Sequence, residues 1–114
     1  MNKFHIYLYG PLCGPIETSF ENAASRLTRL EHLAFEPDGS FVYSRSRGEQ
    51  QVFGMLFDAQ ARLRYAELRG HCDRETFQIV VLAICGNCEH DLTVMRLPMR
   101  QLQDLQSFEE TTFC

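Results

Sequence analysis

The chain has no tryptophan, a single lysine (Lys3) and no apolar run long enough to cross a membrane as a helix. Its longest apolar stretch, Phe77 to Cys85, includes Gln78 and covers about half of such a span. Ten of the eleven cations are arginine, so a Walker-type phosphate loop and an internal Schiff-base lysine are both excluded. Positive charge is scarce overall. Eleven basic against fifteen acidic residues give −4, which argues against nucleic-acid binding through phosphate neutralisation by clustered Lys and Arg. Internal repeats, low-complexity tracts and Pro- or Gly-rich linkers are missing, as are Gly-x-Ser-x-Gly, His-Glu-x-x-His and EF-hand patterns.

What is present is ordinary globular material. With 114 residues, 45% hydrophobic and 23% charged, the chain is expected to fold as one domain that needs neither metal nor disulfide. Charge is uneven: the 45–64 segment alone is net positive, through Arg45, Arg47, Arg62 and Arg64. The apolar stretch before Gly10-Pro11 is too short for a signal-peptide core, so a cytoplasmic protein without a membrane partner is expected. Cys13, Cys72, Cys85, Cys88 and Cys114 are odd in number, and are expected as thiols or metal ligands rather than as a disulfide framework.

Hydrophobic spacing sets the elements. Residues 4–9 read as an aromatic and β-branched strand, stopped by Gly10-Pro11. Ile16, Phe20, Ala23, Ala24, Leu27 and Leu30 recur at helical spacing and predict a helix over 15–32 that buries Phe20, Ala24 and Leu27. Four strands follow, at 33–36, 40–44, 51–58 and 62–69, with Pro37-Asp38-Gly39 as a tight turn and Gly70 closing the meander. Asp73 caps a helix over 74–86 that Gly86-Asn87 ends. A strand over 92–97 and a short helix over 101–109 complete the order β-α-β-β-β-β-α-β-(α). The fold expected is α+β: a two-layer sandwich with a mostly antiparallel sheet of five to six strands and two main helices on one face.

Several short motifs carry chemical possibilities. Cys13-Gly14-Pro15, between a strand and a helix start, resembles the opening of the thioredoxin Cys-Gly-Pro-Cys site, where a helix N-terminus stabilises a thiolate. Ile16 stands where the second cysteine would be. Ile6-Tyr7-Leu8-Tyr9-Gly10-Pro11 resembles the first strand of nucleoside deoxyribosyltransferases, but the catalytic glutamate and parallel sheet of that family have no counterpart. Cys85-Gly86-Asn87-Cys88 is a true C-x-x-C, and Cys85, Cys88 and His90 with His71 or Cys72 make a candidate zinc set. Beside them His71-Cys72-Asp73 resembles the first element of cytidine-deaminase-like enzymes. The eleven residues between Asp73 and Cys85 are too few for the structure that family places there.

Pro37-Asp38, Asp58 and Glu67-Leu68-Arg69 together resemble the metal-binding arrangement of restriction-endonuclease-like phosphodiesterases, in which carboxylates hold Mg²⁺. Arginine replaces the usual lysine and cannot act as a base. Across the hairpin, the position facing Glu67 falls near Phe53 or Gly54. Two apart on one strand face, Glu67 and Arg69 are otherwise placed for a surface ion pair. Arg45, Arg47, Arg62 and Arg64 are candidates for an anion site, since guanidinium forks suit phosphate and carboxylate. His5 and His32 have no evident partners.

Every catalytic pattern lacks an obligatory member. The expected function is therefore a non-catalytic binding or interaction module for a protein or a small anionic ligand, with no cofactor implied. The alternatives are a phosphodiesterase or its degenerate relative, and a zinc or thiol protein using Cys85 and Cys88.

Overall fold

The computed structural model describes residues 2–86 and 91–113. Seven antiparallel strands form one sheet: β1 (Asn2–Tyr9), β2 (Leu33–Phe35), β3 (Ser40–Arg45), β4 (Gln50–Ala59), β5 (Arg62–Cys72), β6 (Thr93–Arg96) and β7 (Gln101–Asp104), in the order β2-β3-β4-β5-β1-β6-β7. Three helices, α1 (Phe20–Thr28), α2 (Arg74–Cys85) and α3 (Leu105–Thr112), lie against one face. The α+β layering is as expected, but the sheet is larger by at least one strand.

Side chains alternate along a strand, so each strand has an inner and an outer row. The inner row of β1 is Phe4, Ile6 and Leu8; β4 supplies Val52 and Leu56, and β5 supplies Ala66, Leu68 and Cys72. These meet Leu27 of α1, Phe77, Val80, Val81 and Ile84 of α2, and Phe108 of α3. The Phe4 ring stands edge-on to Phe77 at 5.3 Å and to Phe108 at 6.5 Å, which joins the first strand to both later helices. Such ring pairs add about 0.5–1.5 kcal/mol beyond burial.

Three elements differ from the sequence expectation. Helix α1 begins at Phe20, not at Pro15, because Ser19 caps it and accepts from the Asn22 N–H at 3.0 Å. Residues before it run as an irregular strap, with the Ile16 N–H donating to the Leu63 carbonyl and the Leu63 N–H to the Thr18 carbonyl. Ile16 is thus buried without belonging to a helix, and Phe20 and Ala24 are only half-buried, while Ala23 and Leu27 are enclosed. Gly10 makes the strap possible: a Cβ there would stand 1.9 Å from the Pro15 carbonyl oxygen. Second, β5 continues through Gly70 to Cys72. Third, residues 101–109 divide at Asp104, which ends β7 and caps α3 by accepting from the Ser107 N–H at 2.8 Å.

Helix α2 forms where expected and is pinned at both ends. Asp73 accepts from the Thr76 N–H at 2.8 Å. Behind this cap lies buried Gln50, whose Oε1 accepts from the Asp73 N–H and from the Thr76 hydroxyl, both at 2.8 Å. At the other end the Arg26 guanidinium donates to the Ala83 and Ile84 carbonyls at 2.7 and 2.8 Å, and to the Thr18 hydroxyl at 2.9 Å. Those carbonyls are among the last four of a helix, which have no partners of their own within it.

Arg26→Ala is therefore expected to destabilise by about 2–4 kcal/mol, since hydrogen bonds to a charged group contribute about 1.5–3 kcal/mol each. Arg26→Lys should recover only part of this, lacking the planar fork. Urea unfolding checks both. In the same assay Leu27→Ala should cost about 2–5 kcal/mol, and Phe20→Ala less than Leu27→Ala.

Candidate functional site

All three helices occupy the inner face. Among the described residues none of these three helices is laid over the other face. Strand register arranges its side chains in rows across the sheet. One row is Phe57, Tyr65, Tyr9 and Thr93. The next is Ser40, Met55, Glu67, Tyr7 and Met95, continued by Leu102. A third is Val42, Phe53, Arg69 and His5, and a fourth Ser44, Gln51, His71 and Lys3.

The aromatic rings form a ladder. Phe57 stacks on Tyr65 at 4.6 Å, and Tyr65 on Tyr9 at 5.4 Å. Tyr7 joins through Tyr65 at 5.2 Å. Partial burial, then the neighbouring phenols of Tyr65 and Tyr7, raise the Tyr9 pKa. Beside the ladder lies the polar centre of the face. His5 Nε2 and Glu67 Oε2 are 2.6 Å apart, with side chains 44% and 30% exposed. The Arg69 guanidinium lies over the Phe53 ring at 5.0 Å. The expected Glu67–Arg69 pair does not form; His5 takes the carboxylate and Phe53 takes the cation. His5, set aside in the sequence, is the partner the sequence could not reveal, because it lies 62 residues away.

A shallow groove of about 320 Å³ opens on this face beside Glu67 and Arg69, with Glu36, Ser40, Phe53 and Met55 among its lining residues. Glu36 is thus the acid that shares a groove with Glu67. Met55, not Phe53 or Gly54, faces Glu67 across the hairpin. Asp38 is held in its turn, accepting from the Ser40 N–H at 2.9 Å and hydroxyl at 2.7 Å, and these bonds lower its pKa. Asp58 lies past the register shift at Phe57, three positions beyond Met55, or about 10 Å along the strand. Asp38, Asp58 and Glu67 are therefore not brought together. Among the described residues no three His, Cys, Asp or Glu side chains converge as a metal site.

The arginines are dispersed. Arg45 pairs with Gln50 at one end of β4, while Arg62 pairs with Ala59 at the other, about 30 Å away. Arg45 donates to the Thr76 hydroxyl at 3.3 Å and lies 3.6 Å from Glu75, so it serves the α2 cap. Arg47 sits in an exposed turn at a φ of 56° beside Arg45, and Arg64 is exposed near Arg62. The four do not form one anion site.

Of the cysteine–histidine set, Cys88 and His90 lie outside the described residues. Cys85 is buried on α2. His71 and Cys72 point to opposite faces of β5, His71 outward and Cys72 into the core beneath the helices. Burial, and then the adjacent Asp73 charge, push the Cys72 thiol up to about 12. Thiolates, not thiols, bind metal and react.

Native-state alkylation at pH 8 should therefore label exposed Cys13 and spare Cys72 until the protein unfolds, as read by peptide mass spectrometry. The Thr76 N–H, with help from the Thr76 and Gln50 side chains, lowers the Asp73 pKa below the ordinary 3.8. The folded state then binds this proton less readily than the unfolded state. The stabilisation is complete above pH 3.8 and is lost as pH falls through the lower folded value. In thermal melts, the advantage of wild type over Asp73→Asn should accordingly be full at neutral pH and vanish in acid.

No protein-family model, curated protein or solved structure matches this chain.

Proposed function

We propose that this protein is a non-catalytic protein-interaction module whose binding surface is the outer face of the sheet. The observation that supports this most is the row structure of that face. Phe53, Met55, Phe57, Tyr65, Tyr7 and Tyr9 form a continuous apolar and aromatic surface on three adjacent strands, with no helix over it. Aromatic residues and methionine are the types enriched at interface cores. The His5–Glu67 pair and Arg69 supply a polar centre suited to orientation and specificity. The rigid sheet holds every one of these side chains, so little order has to be created on binding.

A photoreactive side chain placed at Phe57 should give a discrete protein adduct in cells. The same probe at Glu21, exposed on α1, should not. Equal adducts from both positions, or none from either, would overturn the reading. Glu67→Gln should shift the unfolding free energy by less than about 1 kcal/mol, as for a partly exposed polar pair. Mg²⁺-dependent cleavage of nucleic acid by the wild type, lost in Glu67→Gln, would instead promote a phosphodiesterase.

A further inference from the structure

We infer that the partner of the outer sheet face is a second copy of the same chain, packed face to face about a two-fold axis that crosses β5 at the level of Leu68. This rests on the reading of that face as a protein-binding surface and names its occupant. An isologous interface needs a patch that is complementary to itself, and the register shows that this one is.

The axis that achieves it runs across the strands. Rotation about it keeps each strand over its counterpart and reverses direction along the strand. The row containing Glu67 then faces the row containing Arg69. Glu67 meets the partner's Arg69, Met55 meets the partner's Phe53, and Tyr7 meets the partner's His5. Each contact occurs twice. Further out, Tyr65 faces the partner's His71 and Tyr9 faces the partner's Lys3, where a cation over a phenol ring is favourable. An axis running along β5 would instead place Glu67 over the partner's Glu67 and Arg69 over the partner's Arg69. Like charges so placed are repulsive, so the pattern of the face selects one orientation.

Charge agrees with this occupant. The rows reach over four to six strands, about 15–25 Å across at about 4.8 Å per strand, and four rows make the face about 20 Å long. Aligned sheets pack about 10 Å apart at a crossing near 30°, which keeps the central Glu67 and Arg69 contacts close. Glu67 and Arg69 balance at the centre, and Lys3 and Glu36 lie toward the margins. A nucleic acid would require an excess of cations here.

Charge exchange tests the inference by sedimentation equilibrium on the full chain. Wild type at up to about 100 µM should reach twice the 13.2 kDa chain mass. Glu67→Arg alone and Arg69→Glu alone should each raise the dissociation constant at least about 30-fold, and the double variant should restore dimerisation. Thermal melts and near-ultraviolet circular dichroism show whether each variant is folded. Should a single variant fail to fold, the wild-type background carries the test: a photoreactive residue at Met55 should capture the strand around Phe53 of a second copy. A wild type that stays monomeric overturns the inference, as does a folded double variant that does not dimerise or a Met55 probe that captures another segment. If the wild type is monomeric while the Phe57 probe captures a different protein, the binding face stands and only the choice of partner is wrong. If nothing is captured at all, both fail.

Discussion

The seating of α2 on the sheet is the constraint from which the rest of the structure follows. Its start is tied to β4 through Gln50 and Asp73, and its end to α1 through Arg26. Buried polar groups of this kind must be matched, since one left without a partner costs about 1–3 kcal/mol. Gln50 meets the requirement with bonds to the Asp73 N–H and the Thr76 hydroxyl. The helix is thereby fixed along its length, and Phe77, Val80 and Ile84 are presented to the inner rows of β1, β4 and β5. Phe108 and Phe113 of the last segment then close on Phe77, so α3 inherits its position from α2.

Once the helices take one face, alternation along the strands assigns everything else to the other. That assignment collects residues with no relation in the sequence. Tyr7 and Tyr9 come from β1, Phe57 from β4 and Tyr65 from β5, and their rings meet only because the three strands are neighbours. The polar centre has the same origin. His5 reaches Glu67 because β1 is inserted between β5 and β6, far from where it lies in the chain. A one-sided sheet of this kind leaves half-buried apolar and aromatic side chains on the face that carries no helix.

The sequence was most legible where a local rule had only one solution. Asp73 before an apolar periodic run and Gly86 after it marked α2 closely, because caps act within one turn. The β3, β4 and β5 strands were legible from turn residues and alternation, although β5 runs on through Gly70. Legibility failed where two structures share a spacing. Ile16 fits the helical face of α1 by position, yet its N–H bonds to Leu63 and the residue lies in an irregular strap before the helix. Leu102, Leu105 and Phe108 recur every third residue, but the Asp104 cap divides them between a strand and a helix. The candidate site was less legible still. Glu67 and Arg69 stood out as a neighbouring pair, while their true partners, His5 and Phe53, lie in other strands.

By itself the sequence determined the class of fold and the order of most elements. These follow from periodicity, propensity and capping, all of which act over a few residues. Strand order, register and the closing of both helix ends were decided only by the tertiary structure, because they depend on contacts between segments tens of residues apart. The outer face belongs to this second group. Its acids, arginines and rings could be named from the sequence, but their grouping into rows is set by the insertion of β1 beside β5. That insertion brings Tyr7, Tyr9 and His5 to Tyr65 and Glu67, while the β3–β4 and β4–β5 pairings separate Arg45 from Arg62 by the length of β4.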